Sequence, residues 1–274
     1  MVEKYRDYIE NISKNTGFIG STLEKVDRLI RILEWMNSDE KLNKLLALKG
    51  GTAINTAIFN FPRLSVDIDL DLTENLSKEE MIKERENIHN LLVNYLNSNN
   101  YKINMEKSKN VYALDSIVAE YIDIKGNIDN IKIEINYMNR VHILETKRID
   151  VSTDVLKGKH LTIHCIHPIE IYAAKLCALL SRTTARDLYD VYTLSKYDLF
   201  DDEEKKLLKQ CLMLEYIAVN DYKLKDMKID NVERLKRQDI KTKLLPTLKD
   251  RNPKNSNIDE MKQAVREYLK DILI

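Results

Sequence analysis

Asp67 and Asp69 stand in the run Ser65 to Leu72, where apolar Val66, Ile68, Leu70 and Leu72 interleave with Asp67, Asp69 and Asp71. A period of two is that of a β-strand, so the three carboxylates share one face. With about 3.3 Å of rise per residue, Asp67 and Asp69 lie roughly 7 Å apart, and one divalent ion fits between them. Carboxylate oxygens suit Mg²⁺ (or Mn²⁺), which normally completes its shell with water and substrate phosphates. A phosphate-bearing substrate is thus implied. A third carboxylate on a neighbouring strand would allow two ions about 3.5 to 4 Å apart, clamping the attacking and leaving oxygens of an in-line displacement. Glu134 is the candidate: Ile131 to Ile135 alternates again, burying isoleucines and turning Glu134 the other way, and its use depends on strand register.

A second feature lies upstream. Leu45 to Leu48 is a short apolar strand that meets Gly50-Gly51-Thr52, after which Ala53 to Phe59 can continue as a helix with its first turn at Thr52. Gly50 and Gly51 let backbone amides approach an anion closely, and the positive end of a helix favours phosphate. A glycine pair before a helix is a weak signal alone, and so is an acid-x-acid strand, since an acidic alternating strand is often a solvated sheet edge. Arg63, four residues before Asp67, and Ser65 are further candidates for contact with a nucleotide. As a loop arginine, Arg63 is expected to be exposed.

These residues need a sheet to hold them. Residues 20 to 46 have helical spacing with Thr22 as a plausible cap, Pro62 ends the helix after the glycines, and a polar helix runs from about Lys78 to Asn97. Val111 to Leu114, Ala119 to Ile124 and Ile131 to Tyr137 read as strands that complete one mixed sheet. From Pro168 the pattern is helical, clearest over Ile169 to Leu180 and Ala185 to Ser195. The expected class is α+β, a mixed sheet flanked by helices followed by a mainly helical domain, with a boundary near residue 160 that gives 1–160 and 161–274. Residues 241 to 256, rich in lysine and containing proline, read as an exposed connection before a last helix.

Charged residues make up 32% and glycine and proline are few, a composition of long charged helices rather than of a turn-rich β protein. The 44 basic and 44 acidic residues cancel, so only local patches can indicate partners. Such a patch lies between Lys223 and Lys254, with 11 Lys or Arg against 5 Asp or Glu, which would suit sequence-independent contacts to RNA phosphates, although a solvated helical face explains it nearly as well. The N-terminal residues show no export signal and nowhere do about 18 apolar residues run together, so a cytoplasmic chain without a membrane span is expected. Cys165, Cys177 and Cys211 form no CxxC pair, and reduced thiols are expected.

The stretch LKGGTAINTAIFNFPRLSVDIDLDL, Leu48 to Leu72, resembles the first motif of DNA-polymerase-β-like nucleotidyltransferases, a glycine turn ahead of an Asp-x-Asp strand. Together with EIYAAKLCALLSRTTARDLYDVYTL, Glu170 to Leu194, it resembles the AbiEii/AbiGii toxin family of abortive-infection and toxin–antitoxin systems. The two blocks cover about 50 residues, and elsewhere the likeness is one of general layout. The resemblance implies a polymerase-β-like core, a nucleoside triphosphate as substrate, an RNA acceptor, with the 3′ end of transfer RNA a candidate, and a cognate antitoxin. It implies Asp67 and Asp69 as metal ligands, Gly51 and Thr52 against the triphosphate, and Lys175 and Asp187 as active-site residues of the second block.

The residues of that block agree as far as they go. Lys175 and Arg182, seven apart, lie on one helix face about 10 Å apart along the axis, spaced to meet successive phosphates. Asp187 and Asp190 share a face of the next helix, where Arg186 can pair with Asp190, and a surface salt bridge is the plain alternative. Glu170 near its helix start complements the dipole. His160, His164 and His167 fall in an extended segment and read as structural. Replacing Asp67 or Lys175 by alanine is expected to abolish transfer with the fold intact. Rival classes are an antibiotic-type small-molecule nucleotidyltransferase, which the basic region disfavours, a metal-dependent nuclease, which leaves Gly50-Gly51-Thr52 and Lys175 unexplained, and a decayed transferase kept as a nucleotide-binding module.

Overall fold

In the computed structural model, residues 2–153, 159–197, 199–219, 228–251 and 257–273 are described. The chain divides into two compact units, Met1–Ile166 and His167–Ile274. The division falls six residues beyond the expected boundary because the strand that follows residue 158 pairs into the first unit's sheet.

The first unit opens with helices α1 (Val2–Thr16), α2 (Gly20–Ser38) and α3 (Glu40–Leu45). The helix expected over 20 to 46 is broken at Asp39, whose extended backbone and side chain, accepting from the Lys41 and Leu42 amides, start α3 afresh. Thr22 is not the cap of α2: Ile19 holds that position, with no side-chain cap. The α1 helix went unread in the sequence. Next come β1 (Leu46–Lys49), a short helical turn α4 (Gly50–Thr52), a π-helical stretch (Ala53–Ile58) and β2 (Asp67–Leu72). Helix α5 (Lys78–Ser98) begins with a capping box in which Ser77 and Glu80 bond each other's amides.

The strands β3 (Lys102–Ile103), β4 (Lys109–Val111), β5 (Leu114–Ile122), β6 (Ile128–Asn136), β7 (Lys147–Thr153) and β8 (Lys159–Cys165) join β1 and β2 in one sheet. Its order is β3-β5-β6-β2-β1-β8-β7, with β4 on β5. It is mixed, as expected, since β2 runs parallel to β6 and β1 parallel to β8 while the remaining pairs are antiparallel. The strand expected over 111–114 instead spans the turn at Tyr112 and Ala113 between β4 and β5, and that over 119–124 is the far end of β5; β3, β7 and β8 are additions.

Alternation gives the sheet two chemically different faces. Leu48, Leu70 and Ile163 point towards Leu33 and Met36 of α2, around one small void. Trp35 of α2 stacks on Tyr95 of α5 with ring centroids 3.8 Å apart, so both helices cover this face. Ile68, Leu72, Ile133 and Ile135 are all fully buried. The other face takes the odd-numbered residues of β2 and the even-numbered residues of β6, among them Asp67, Asp69 and Glu134.

The second unit is helical, as expected: α6 (Pro168–Arg182), α7 (Ala185–Tyr197), α8 (Asp202–Val219), the short α9 (Arg237–Asp239) and α10 (Ile258–Leu273). Helix α6 packs on α7 and α8, and α10 packs on the same two. Leu176, Leu180, Leu188, Val191, Leu212 and Leu269 form its buried centre. The stretch expected to be an exposed connection is partly core: Ile240–Leu244 and Leu245–Thr247 are short helical turns that bury Ile240, Leu244, Leu245 and Leu248. Apolar residues at 240, 244, 245 and 248 have helical spacing, which the surrounding lysines mask in a composition-based reading.

Candidate functional site

The bend after β1 is shaped by its neighbours. Gly50 has φ +68°, a left-handed conformation that favours glycine, and a Cβ there would stand 2.6 Å from Asp69 Oδ2. At Gly51 a Cβ would stand 2.9 Å from Arg63 Nη2 and 3.1 Å from Ser65 Oγ. The diglycine is therefore the imprint of three side chains pressed against backbone: the carboxylate of Asp69, the guanidinium of Arg63 and the hydroxyl of Ser65. Helix geometry begins at Gly50 rather than at Thr52, with Lys49 in the cap position.

Thr52 is fully buried. Its hydroxyl contacts Ser65 Oγ at 3.0 Å and donates to the carbonyl of Asp67, a very short contact. Its side chain thus ties the bend to β2. Asn55 Nδ2 donates to the Gly51 carbonyl at 2.7 Å and the Thr56 hydroxyl donates to the Thr52 carbonyl, so two side chains of the π-helical stretch bond back to the turn before it. Arg63 is 2% exposed, against the expectation of a solvated loop arginine, and Nη1 donates to the Leu64 carbonyl at 3.0 Å. The loop before it is strained: Phe61 has φ +58° and is fully buried.

Asp67 and Asp69 sit on one face of β2, half-buried, while Asp71 on the same face is buried and paired with Lys49 at 2.5 Å. The register decides where Glu134 stands: it is the partner of Asp69 across the parallel β2–β6 ladder, hence on the same face. Its carboxylate pairs with Lys132 at 2.8 Å. Among the described residues no group of three His, Cys, Asp or Glu is placed to hold a metal ion. The donor set at hand is thus two neighbouring carboxylates with Glu134 in the adjoining strand. That fits a hard divalent cation which takes its remaining ligands from phosphate and water.

In the second unit, Lys175 on α6 is 8% exposed and lies 2.8 Å from Asp187 Oδ1 and 3.1 Å from Asp190 Oδ2 on α7. Arg182 Nε donates to Asp187 Oδ2 at 3.0 Å, and the Thr184 hydroxyl reaches the same oxygen at 2.8 Å. Burial would raise the Asp187 carboxyl, but the charge of Lys175 and the hydrogen bond and charge of Arg182 outweigh it and hold the pKa at about 2. Lys175 and Arg182 share a helix face as the spacing indicated, yet both are drawn onto one carboxylate. Arg186 donates to the Lys243 carbonyl at 3.2 Å.

Local sequence explains this cluster. Thr183 ends α6 in a left-handed conformation, and Thr184 starts α7 by accepting from the Asp187 amide at 3.3 Å, the first half of a capping box. Asp187 is therefore fixed at the helix start, opposite the end of α6. The Thr184-x-x-Asp187 spacing is the sequence signal for Thr184's role, an uncharged residue that charge patterning alone does not mark.

The histidines behave as structural groups where they are described. His164 bonds the Asn43 carbonyl at 2.9 Å and Thr146 Oγ1 at 2.7 Å, and His167 caps α6 by accepting from the Ile169 amide. The side chain of His160 lies outside the described residues, as do parts of the basic stretch, 223–227 and 252–254. Glu170 stands in the first turn of α6 and the three cysteines are buried and unpaired as disulfides. No described helix is long and apolar enough to cross a membrane.

Comparison with solved structures shows a likeness to MenT4, a nucleotidyltransferase toxin from Mycobacterium tuberculosis H37Rv, with TM-score 0.63 and 14% identity over 96% of this chain and 89% of that one. At that identity the likeness is one of fold. JHP933 from Helicobacter pylori is 19% identical over 89% of this chain and 92% of its own, with TM-score 0.47. No curated protein matches the sequence. The sequence profile of the family described as nucleotidyl transferase AbiEii toxin, type IV toxin–antitoxin system, matches residues 31–271. With nearly the whole chain matched, the protein belongs to that family and is a nucleotidyltransferase of the toxin–antitoxin type.

Proposed function

We propose that the protein transfers a nucleoside monophosphate from a nucleoside triphosphate to a hydroxyl of an RNA acceptor, transfer RNA being the first candidate, with a divalent cation, Mg²⁺ or Mn²⁺, held by Asp67 and Asp69. The observation that carries this reading is the contact of Asp69 with the diglycine bend, 2.6 Å from where a Gly50 Cβ would stand, which makes the carboxylates and the backbone cradle one local structure. A cation bound there would stabilise the charge that develops as the acceptor oxygen bonds the α-phosphorus and pyrophosphate leaves. Glu134, beside Asp69 in the ladder, is the candidate third ligand if its pairing with Lys132 is given up.

The chain's own groups would do the rest. Amides of Gly50 and Gly51 approach the phosphates without a side chain in the way, and Arg63, held against Gly51 with Ser65, adds positive charge at the cradle. Thr52 acts through its buried hydroxyl by fixing the bend to β2. Lys175, Arg182 and Asp187 are assigned to the reaction by family likeness; their chemistry is an ammonium and a guanidinium around an ionised carboxylate, suited to neutralising a polyphosphate. The exposed Arg234, Lys236, Lys241 and Lys249 could carry RNA phosphate contacts. A cognate antitoxin follows from the family, and the proposed reaction on RNA places the protein in the cytoplasm.

Incubation of the protein with each labelled nucleoside triphosphate, Mg²⁺ and total RNA tests the proposal. Label on RNA, lost in Asp67→Ala, is the expected result. Shortened RNA would point to a nuclease, label on a small molecule to another acceptor class, and retention of nucleotide without turnover to a binding module.

A further inference from the structure

Lys49 is the last residue of β1, immediately before the diglycine bend, and its partner across the antiparallel ladder is Asp69. Side chains at such positions rise from the same face with Cβ atoms about 5 Å apart, and a residue two further along stands about 7 Å away on the diagonal. Asp71 is that diagonal residue. The Lys49 ammonium lies 2.5 Å from Asp71 Oδ1, where the aspartate side chain is 2% exposed against 30% for the lysine. Asn139 Nδ2 stands 3.5 Å from the other oxygen, Asp71 Oδ2. Of three acids on this face of β2, one is thus the buried counter-ion of a lysine that shares its ladder position with another. An ammonium near a cation-binding carboxylate works against the cation: a unit charge and a divalent ion about 4 Å apart in water-like surroundings repel enough to change affinity about thirtyfold.

We propose that Lys49 and Asp71 are positioning residues that set the cation affinity of the Asp67–Asp69 pair. Asp71 holds the ammonium and supplies its opposing charge, which keeps Asp69 able to take a divalent cation beside a lysine. The inference rests on Asp67 and Asp69 as the cation ligands. Lys49 reaches no substrate in this scheme; its action is through Asp69.

Mn²⁺ titration of the full-length protein, followed by calorimetry and by the loss of the free-ion electron paramagnetic resonance signal, tests it without turnover. Asp71→Asn leaves the Lys49 ammonium with Asp69 as its cross-strand acid and is expected to weaken Mn²⁺ binding about thirtyfold. Adding Lys49→Gln to Asp71→Asn removes the ammonium and is expected to restore binding to the wild-type level or above. The double variant carries an uncharged pair in place of the ion pair, so no buried charge is stranded. A purely structural role would leave the double variant at least as weak as the single one, and that result overturns the proposal. Unchanged binding in Asp71→Asn overturns it as well, while Asp67→Ala still loses Mn²⁺ and the cation site stands. Undiminished Mn²⁺ binding in Asp67→Ala overturns the cation site itself and the role of Lys49 with it.

Discussion

Asp67 and Lys175 look alike in sequence, as single charged residues in recognisable motifs, yet they respond differently to removal. Asp67 is half-buried at the start of a strand, whereas Lys175 is 8% exposed between two carboxylates that are each 1% exposed. Lys175→Ala leaves Asp187 and Asp190 facing each other without their ammonium, which costs about 3 kcal/mol or more. It should therefore lower the melting temperature markedly, and Asp67→Ala should change stability by less than about 1 kcal/mol. Chemical denaturation of both variants checks this, and equal stabilities would refute it. For Lys175 the buried ion pairs therefore change the expectation: its removal is predicted to cost stability as well as transfer. Asp187 also gives a pH dependence. Its pKa is lowered from 3.8 to about 2, so the associated stability is complete above about 4 and is lost as pH falls towards 2. The difference is worth roughly 2 kcal/mol at 1.36 kcal/mol per pH unit. Urea midpoints at pH 7 and pH 3 should converge in Asp187→Asn relative to wild type.

The bend between β1 and β2 is where backbone and chemistry are hardest to separate. Gly50→Ala must place a methyl 2.6 Å from Asp69 Oδ2 on a backbone with φ +68°. The left-handed conformation alone costs about 1 to 2 kcal/mol, and displacing the carboxylate is expected to reduce transfer by at least about a hundredfold. A variant with wild-type transfer would separate the bend from the site. Thr52→Val keeps the shape but removes the bond to the Asp67 carbonyl, and should cost about 1 to 3 kcal/mol in thermal denaturation because that carbonyl loses a buried donor. Much of this was legible beforehand: alternation placed Asp67, Asp69 and Asp71 on one face, and the strand-glycine-helix order stood in the residues themselves. Other parts were not. Long-range pairing sets the Asp69 to Glu134 register, and nothing local to 131–135 encodes it. Arg63 becomes buried because Gly51 leaves it room, a relation between residues twelve apart in a loop without periodicity. The edge strand β7 and its partner β8 do alternate, with Ile149 and Val151 in one and Leu161, Ile163 and Cys165 in the other, so the period-two signal was present in the sequence and these two strands were legible though not among the expected ones.

For the whole chain, 44 basic and 44 acidic residues give no long-range attraction to nucleic acid, so any RNA binding must come from local charge. Exposed Arg234, Lys236 and Lys241 on the second unit are the test set. Replacing all three by glutamine should weaken RNA association and reduce the slope of log affinity against log salt by up to about 3, with Mn²⁺ binding unaltered. An unchanged slope in filter binding would place the RNA elsewhere. The architecture also limits how relatives of this chain can differ. Because β2 and β6 lie side by side in the same direction, a shift of one residue between them would bring Ile133 or Ile135 next to Asp69 and bury the wrong edge. Loops around β6 can lengthen freely, but the ladder itself can advance only in pairs, offering Lys132 or Asn136 as the alternatives to Glu134. Divergence at that position is therefore a choice among an ammonium, an acid and an amide, and each choice would retune the proposed cation site in one discrete step.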